Sequence, residues 1–238
     1  AAGPANVHPR ILPSMATDVI GQMAPEMTAY MDETMALYRE VFQTKNHWTL
    51  LVNGSARSAI EAALVSLVSP GMKVVIPRIG RFGLLLTEIV HRCGGIPCTI
   101  DVEWGQVVDP AAVEAAIIEH QPGLVAAVHG DTSTTTAQPL AEIGAICRRH
   151  SVLFYVDATA TLGGMEFKTD AWNIDVATAG LQKCLGGPPG SAPITLSDRA
   201  VAAIRRRRPD EAGIAPGPAQ GAGPVLPSNY SSDGRRVG

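Results

Sequence analysis

Short runs of apolar, often β-branched residues alternate with amphipathic segments of helical period along most of this chain, and that alternation constrains the fold more than any other feature. A helix is predicted over "PEMTAYMDETMALYREVFQT" (25–44), after which "WTLLV", "KVVIP" and "IPCTIDV" read as strands separated by the helices "SARSAIEAALVSLV" and "FGLLLTEIVHRC". The pattern continues with "PAAVEAAIIEH" as helix, "GLVAAVH" as strand, "PLAEIGAICRRH" as helix, then "VLFYVD", "IDVATA" and "APITL" as strands and "SDRAVAAIRRRR" as helix. Strands this apolar have no polar face to turn to water, so they need cover on both sides. The expectation is an α/β fold: three αβα layers around a mostly parallel sheet.

Alternation stops at Arg208. Beyond it "PDEAGIAPGPAQGAGPVLPSNYSSDGRRVG" is rich in Gly, Pro, Ala and Ser and lacks apolar periodicity. The chain therefore divides into an N-terminal arm (1–24), a large domain (25–208) and an expected flexible tail (209–238). A composition of 46% hydrophobic and 17% charged residues with a net charge of -3 argues against disorder and against a nucleic-acid surface. The run Arg205 to Arg208 reads as a solvated helix end favoured by the helix dipole. No apolar run reaches the length of a membrane span, and the opening "AAGPANVHPRILPSM" lacks the basic-then-apolar order of a signal peptide, so a cytoplasmic chain with neither membrane nor nucleic-acid partners is expected. Cys93, Cys98, Cys147 and Cys184 match neither a disulfide framework nor zinc spacing. They read as reduced thiols, and "HRCGGIPC" reads as a helix end before a buried strand, with no metal site expected.

Open parallel sheets bind ligands beyond the carboxyl ends of their strands. After "WTLLV" comes "NGSARSAIEAA", where free amides at a helix start, the Ser55 hydroxyl and Arg57 suit a phosphate, although an ordinary N-cap at Ser55 explains the same residues. "GRFG" places Phe82 between glycines, either stacked on a planar ligand or starting a helix as a core residue. "HGDTSTTT" offers His129, Thr132 and Ser133 at a strand end, as ligand donors or as a hydroxyl-rich turn. Asp157 ends the apolar strand "VLFYV", where a carboxylate is costly to bury without a cation or donors. Lys183 sits in the turn "GLQKCLGGPPG", where its amine can attack a carbonyl or simply face water. Jointly these suit pyridoxal phosphate, which needs a phosphate cradle, a stacking ring, a donor to its phenolic oxygen, an acid at its ring nitrogen and a lysine for covalent attachment.

With "VDATATLGG" around Asp157 and "GLQKCLGGPPG" around Lys183, the chain resembles the class V, fold-type I pyridoxal-phosphate aminotransferases of the alanine–glyoxylate and serine–pyruvate group, from "GPANVHPRIL" through the helix after "APITL". Within the group, "VIGQM", "GRFG", "VEWGQV", "QKCL" and "SNY" most resemble the ureidoglycine–glyoxylate branch of purine catabolism. The resemblance implies that Lys183 attaches the cofactor and moves the proton, and that Asp157 keeps the pyridine nitrogen protonated. Phe82 would stack on the ring, where related enzymes have tryptophan. Ser55, Ala56, Arg57 and Gln182 would bind phosphate, Thr132 the phenolic oxygen, and Thr159 would pack below the ring. Gln22 and Asn229 match polar positions near the substrate, Asn229 reaching the neighbouring subunit of a homodimer. The implied reaction moves an amino group to glyoxylate, from ureidoglycine or, alternatively, from alanine or serine. A non-catalytic domain of the same fold is the reading of another class.

The sequence also departs from the family. Leu181 stands where a hydroxyl residue is usual, and "HGDTSTTT" lacks a glycine usual near its end. The family's smaller C-terminal domain, with the arginine that grips the substrate carboxylate, has no counterpart in residues 209–238, so the sequence reads as a truncated member.

Overall fold

Nine strands and six helices follow one another much as the alternation predicts in the computed structural model, which describes residues 3–207. The strands are β1 (Trp48–Asn53), β2 (Lys73–Arg78), β3 (Ile96–Asp101), β4 (Leu124–Val128), β5 (Gly130–Asp131), β6 (Thr136–Ala137), β7 (Leu153–Asp157), β8 (Val176–Thr178) and β9 (Ser191–Leu196). The helices are α1 (Pro25–Phe42), α2 (Ala56–Leu67), α3 (Arg81–Arg92), α4 (Pro110–His120), α5 (Leu140–Arg149) and α6 (Asp198–Arg206), with a 3-10 turn at Leu12–Ala16 in the N-terminal arm. The expected tail, 209–238, lies outside the described residues.

Seven strands form one sheet in the order β1-β9-β8-β7-β4-β2-β3. Only β9 runs against the rest, antiparallel to both β8 and β1, while β3, β2, β4, β7 and β8 are parallel. Strand residues alternate between two cores. Val74 and Ile76 of β2 join one cluster with Leu124 and Ala126 of β4, whereas Val75, Val125 and Ala127 join the other. Helices α2, α3 and α6 cover the first face with Ile60, Leu64, Leu86, Ile89, Val201 and Ile204. Helices α4 and α5 cover the second with Val113, Ile117, Ile143 and Ile146. This double burial is why the strands read as continuous apolar runs, and it gives the αβα layering.

Two departures from the sequence reading have local causes. The strand expected over "IDVATA" begins only at Val176, because the Asp175 carboxylate accepts from the Phe154 amide (3.0 Å) and from Ser197 Oγ (2.7 Å), a side chain replacing a backbone acceptor. The β5–β6 hairpin, two residues per strand, is too short to leave a period in sequence.

Candidate active site

The chain runs outward from β2 to β3 on one side of the sheet, and from β4 through β7 and β8 on the other. Helix α3, after β2, covers one face and α5, after β4, covers the opposite one. Connections that part company between adjacent strands leave a crevice at the strands' carboxyl ends. There a cavity of about 270 Å³ is lined by Ser55, Ala56, Arg57, Phe82, Thr132, Asp157, Thr159, Gln182 and Lys183, together with Ile60, Leu85, Val128, Gly130 and Ala160. The tertiary fold thus brings to one cavity every residue that the family resemblance implies as cofactor-binding, whereas Ser133 and His129, also offered by the sequence as ligand donors, do not line it.

At one end the first turn of α2 opens into this cavity. Ser55 occupies the N-cap position, yet its side chain makes no capping hydrogen bond. The ordinary N-cap explanation therefore does not account for it, and its hydroxyl stands beside helix-start amides that suit an anion. Arg57 adds positive charge and Gln182 a polar amide to the same wall.

Asp157 ends β7 at 2% exposure. Its Oδ1 accepts from the Thr159 amide (2.9 Å) and hydroxyl (2.5 Å), and both hydrogen bonds found for this carboxylate among the described residues fall on that oxygen. Burial pushes its carboxyl above the ordinary carboxylate range; the Thr159 bonds oppose the rise and the nearby charge of Asp131 adds to it. A carboxylate so placed is stabilised by a cation that reaches its remaining oxygen.

Lys183 lies in the turn between β8 and β9 and lines both this cavity and a larger neighbour of about 520 Å³. The neighbour is bounded by residues 3–5, by the β5–β6 hairpin and by Thr161, Met165 and Cys184. The Ala5 amide donates to the Gln182 carbonyl (2.7 Å), which lays the N-terminal arm against the lysine turn. Leu181, in place of the family's hydroxyl residue, packs near Gly187 and lines neither cavity.

Other residues of the site were not legible in sequence. An ideal Cβ on Gly180 would lie 2.8 Å from Gln182 Oε1, 2.9 Å from Ala56 Cβ and 3.2 Å from Thr159 Cγ2, so this glycine lets three walls of the cavity meet. His129, weighed as a ligand donor, lies outside both cavities at 3% exposure; its Nδ1 pairs with Thr161 Oγ1 (2.8 Å) and its ring packs against Phe167 and Trp172. Burial pushes its pKa down to about 4, so it is neutral at pH 7. Gln22 is exposed in the turn before α1 and lines neither cavity, and Asn229 lies outside the described residues.

An anion cradle, a flat aromatic wall, a buried carboxylate with one oxygen to spare and an amine on the rim together fit a phosphorylated aromatic ring carrying a basic nitrogen and an aldehyde, the chemistry of pyridoxal phosphate. Residues 13–208 match the model of the aminotransferase class-V family. The chain belongs to that family. This class-V aminotransferase chain is 48% identical over 213 residues to the (S)-ureidoglycine–glyoxylate transaminase of Bacillus subtilis, covering 90% of this chain and 51% of that protein. It is 36% identical over 207 residues to an alanine–glyoxylate aminotransferase of Drosophila melanogaster, covering 87% and 52%. The crystal structure of the ureidoglycine–glyoxylate aminotransferase from B. subtilis superposes with a TM-score of 0.86, over 88% of this chain and 54% of that one. The class-V chain thus spans about half the length of the curated relatives it matches.

Proposed function

We propose that this chain binds pyridoxal phosphate between α2, α3 and the Lys183 turn and transfers an amino group to glyoxylate, with (S)-ureidoglycine as donor, in purine catabolism. The observation that carries the reading is the meeting of Lys183, Asp157 and the uncapped start of α2 on one cavity, in a chain 48% identical to a ureidoglycine–glyoxylate transaminase. Pyridoxal phosphate, when bound, supplies the electron sink that lets an amino group leave one carbon for another.

The protein's residues supply the rest. Ser55, Arg57, Gln182 and the first amides of α2 hold the phosphate and so fix the ring's position. Asp157 holds a proton at the ring nitrogen, Thr159 orients that carboxylate, Phe82 lies against the ring and Thr132 donates to its phenolic oxygen. Lys183 attaches the cofactor and carries the proton to and from the substrate carbon, from a position facing both cavities. The larger cavity is the side from which the substrate arrives.

The same proposal places the chain in a homodimer. Helix α1 leaves Tyr30, Leu37 and Val41 exposed beside an apolar groove of Met27, Tyr38, Leu50 and Leu51, a surface suited to a second copy. Gln22 and Asn229 are proposed as polar groups near the substrate, Asn229 reaching the neighbouring subunit's site. Four unpaired thiols accord with a reducing, cytoplasmic setting. In this proposal residues 1–24 are an N-terminal arm and residues 25–208 the cofactor-binding large domain.

The test is glycine formation from glyoxylate with ureidoglycine, alanine and serine as donors, against a Lys183→Ala control. Borohydride reduction in the presence of pyridoxal phosphate should leave the label on the Lys183 peptide. Glycine above the control with ureidoglycine as best donor supports the reading, and a much better rate with alanine or serine overturns the donor. No turnover and a label scattered over other lysines would leave a non-catalytic domain.

A further inference from the structure

Helix α3 carries Phe82 in its first turn, yet its N-cap is Gly80, which has no side chain with which to cap. An α-helix leaves its first amides without intrahelical partners, and an unmet amide there frees the turn to fray. Here the partners come from across the site. The Phe82 amide donates to Asp131 Oδ2 (2.9 Å), and the Arg81 amide donates to Ser133 Oγ (3.0 Å). Asp131 Oδ1 in turn accepts from the Ser133 amide (2.9 Å) and hydroxyl (2.6 Å), so both carboxylate oxygens are committed.

The carboxylate is 1% exposed. The close approach depends on Gly80: an ideal Cβ there would sit 2.6 Å from Ser133 Oγ and 2.8 Å from Asp131 Oδ2. Thr132, which lines both cavities, is held between the two anchors.

We propose that Asp131, with Ser133, is a positioning residue for the Phe82 ring: it caps α3 from the loop after β4 and thereby locks the stacking wall of the cavity to the wall that bears Thr132. This rests on the reading of the cavity as a pyridoxal phosphate site. An aspartate is required because both oxygens must accept. In Asp131→Asn one oxygen becomes an NH₂ donor: facing the Phe82 amide it removes that bond directly, and facing Ser133 it removes the bond from the Ser133 amide and loosens the loop that holds the other oxygen against Phe82, so the cap on α3 weakens in either orientation.

The experiment compares wild type, Asp131→Asn, Ser133→Ala, Phe82→Leu and the Asp131→Asn/Phe82→Leu double variant, all in the full chain. Pyridoxal phosphate is titrated by its visible absorption and circular dichroism, and amide hydrogen exchange is read without cofactor. Asp131→Asn should weaken pyridoxal phosphate about tenfold, within the range lost with a helix cap, and alter the visible dichroism as Phe82→Leu does. Ser133→Ala, which leaves the carboxylate in place, should show the same change about threefold weaker. The Phe82 amide should exchange about tenfold faster in Asp131→Asn, with the second half of α3 unchanged. Because Asp131 acts through Phe82, the double variant should be no weaker than the weaker single one. Additive losses, or an unaltered Phe82 exchange rate, would overturn the proposal while leaving the cofactor reading intact. Failure of the wild type to show any pyridoxal phosphate band would overturn the cofactor reading and this role of Asp131 with it.

Discussion

Replacing Gly180 by alanine tests whether the walls of the cavity meet as closely as the structure shows. The added methyl would lie 2.9 Å from Ala56 Cβ and 2.8 Å from Gln182 Oε1. Carbon atoms in contact sit about 3.5–4.0 Å apart, so the start of α2 and the Lys183 turn must separate by about 0.6–1 Å. Gln182 can swing aside, but Ala56 Cβ is fixed to the backbone of the helix start. Gly180 does not have a left-handed φ, so the contact alone causes the strain. Overpacking of this kind costs about 1–3 kcal/mol, which in a domain of this size lowers the melting temperature by about 2–12 °C. Because the displaced helix start is the proposed phosphate cradle, a shift of this size should also weaken pyridoxal phosphate about tenfold or more. Thermal unfolding followed by circular dichroism and spectrophotometric titration of the cofactor measure both effects. Gly21→Ala is the control: nothing lies within 4 Å of its ideal Cβ, and its stability should stay within about 0.5 kcal/mol of wild type. A Gly180→Ala protein that melts and binds like wild type would refute the reasoning.

Asp157→Asn should raise the stability of the cofactor-free protein at pH 7 and lower cofactor affinity about tenfold or more. The folded carboxyl titrates above its unfolded value, so the charge weakens the fold at neutral pH; the gap between variant and wild type should close as pH falls to the unfolded carboxylate range, in urea titrations across pH. His129 acts in the opposite direction. With its folded pKa near 4, the unfolded chain takes up the proton first, so about 2 kcal/mol of stability should be lost between pH 7 and pH 5, a slope absent from His129→Phe. Thr135 is a β-branched residue at φ 59° where the family's glycine would be at ease. Relief of about 1–2 kcal/mol of left-handed strain, less about 0.5–1 kcal/mol for glycine's greater freedom when unfolded, predicts that Thr135→Gly gains about 0.5–1 kcal/mol; a lower unfolding midpoint would contradict it.

The alternation of strand and helix, and with it the αβα layering, was legible in sequence because the inner strands β2, β4, β7, β8 and β9 are buried on both faces and helices α2 to α6 each bury one, and burial writes its period into local residue order. Asp157 and Lys183 were legible for a related reason: a carboxylate ending an apolar strand and a lysine in a Gly/Pro turn are locally anomalous. The reversal of β9, the meeting of α2, α3 and the Lys183 turn, the close passage at Gly180 and the Asp131 cap on α3 left no such trace. Asp131 lies 49 positions from the Phe82 amide it holds, and nothing next to either residue marks the other. His129 shows the same division from the other side, since its neighbours in sequence suggest a ligand and only its neighbours in space, Thr161, Phe167 and Trp172, make it a neutral core residue. Local order determined which segments form elements and which residues are chemically out of place, while the contacts that turn those residues into a site depend on long-range packing, which only the tertiary structure decides.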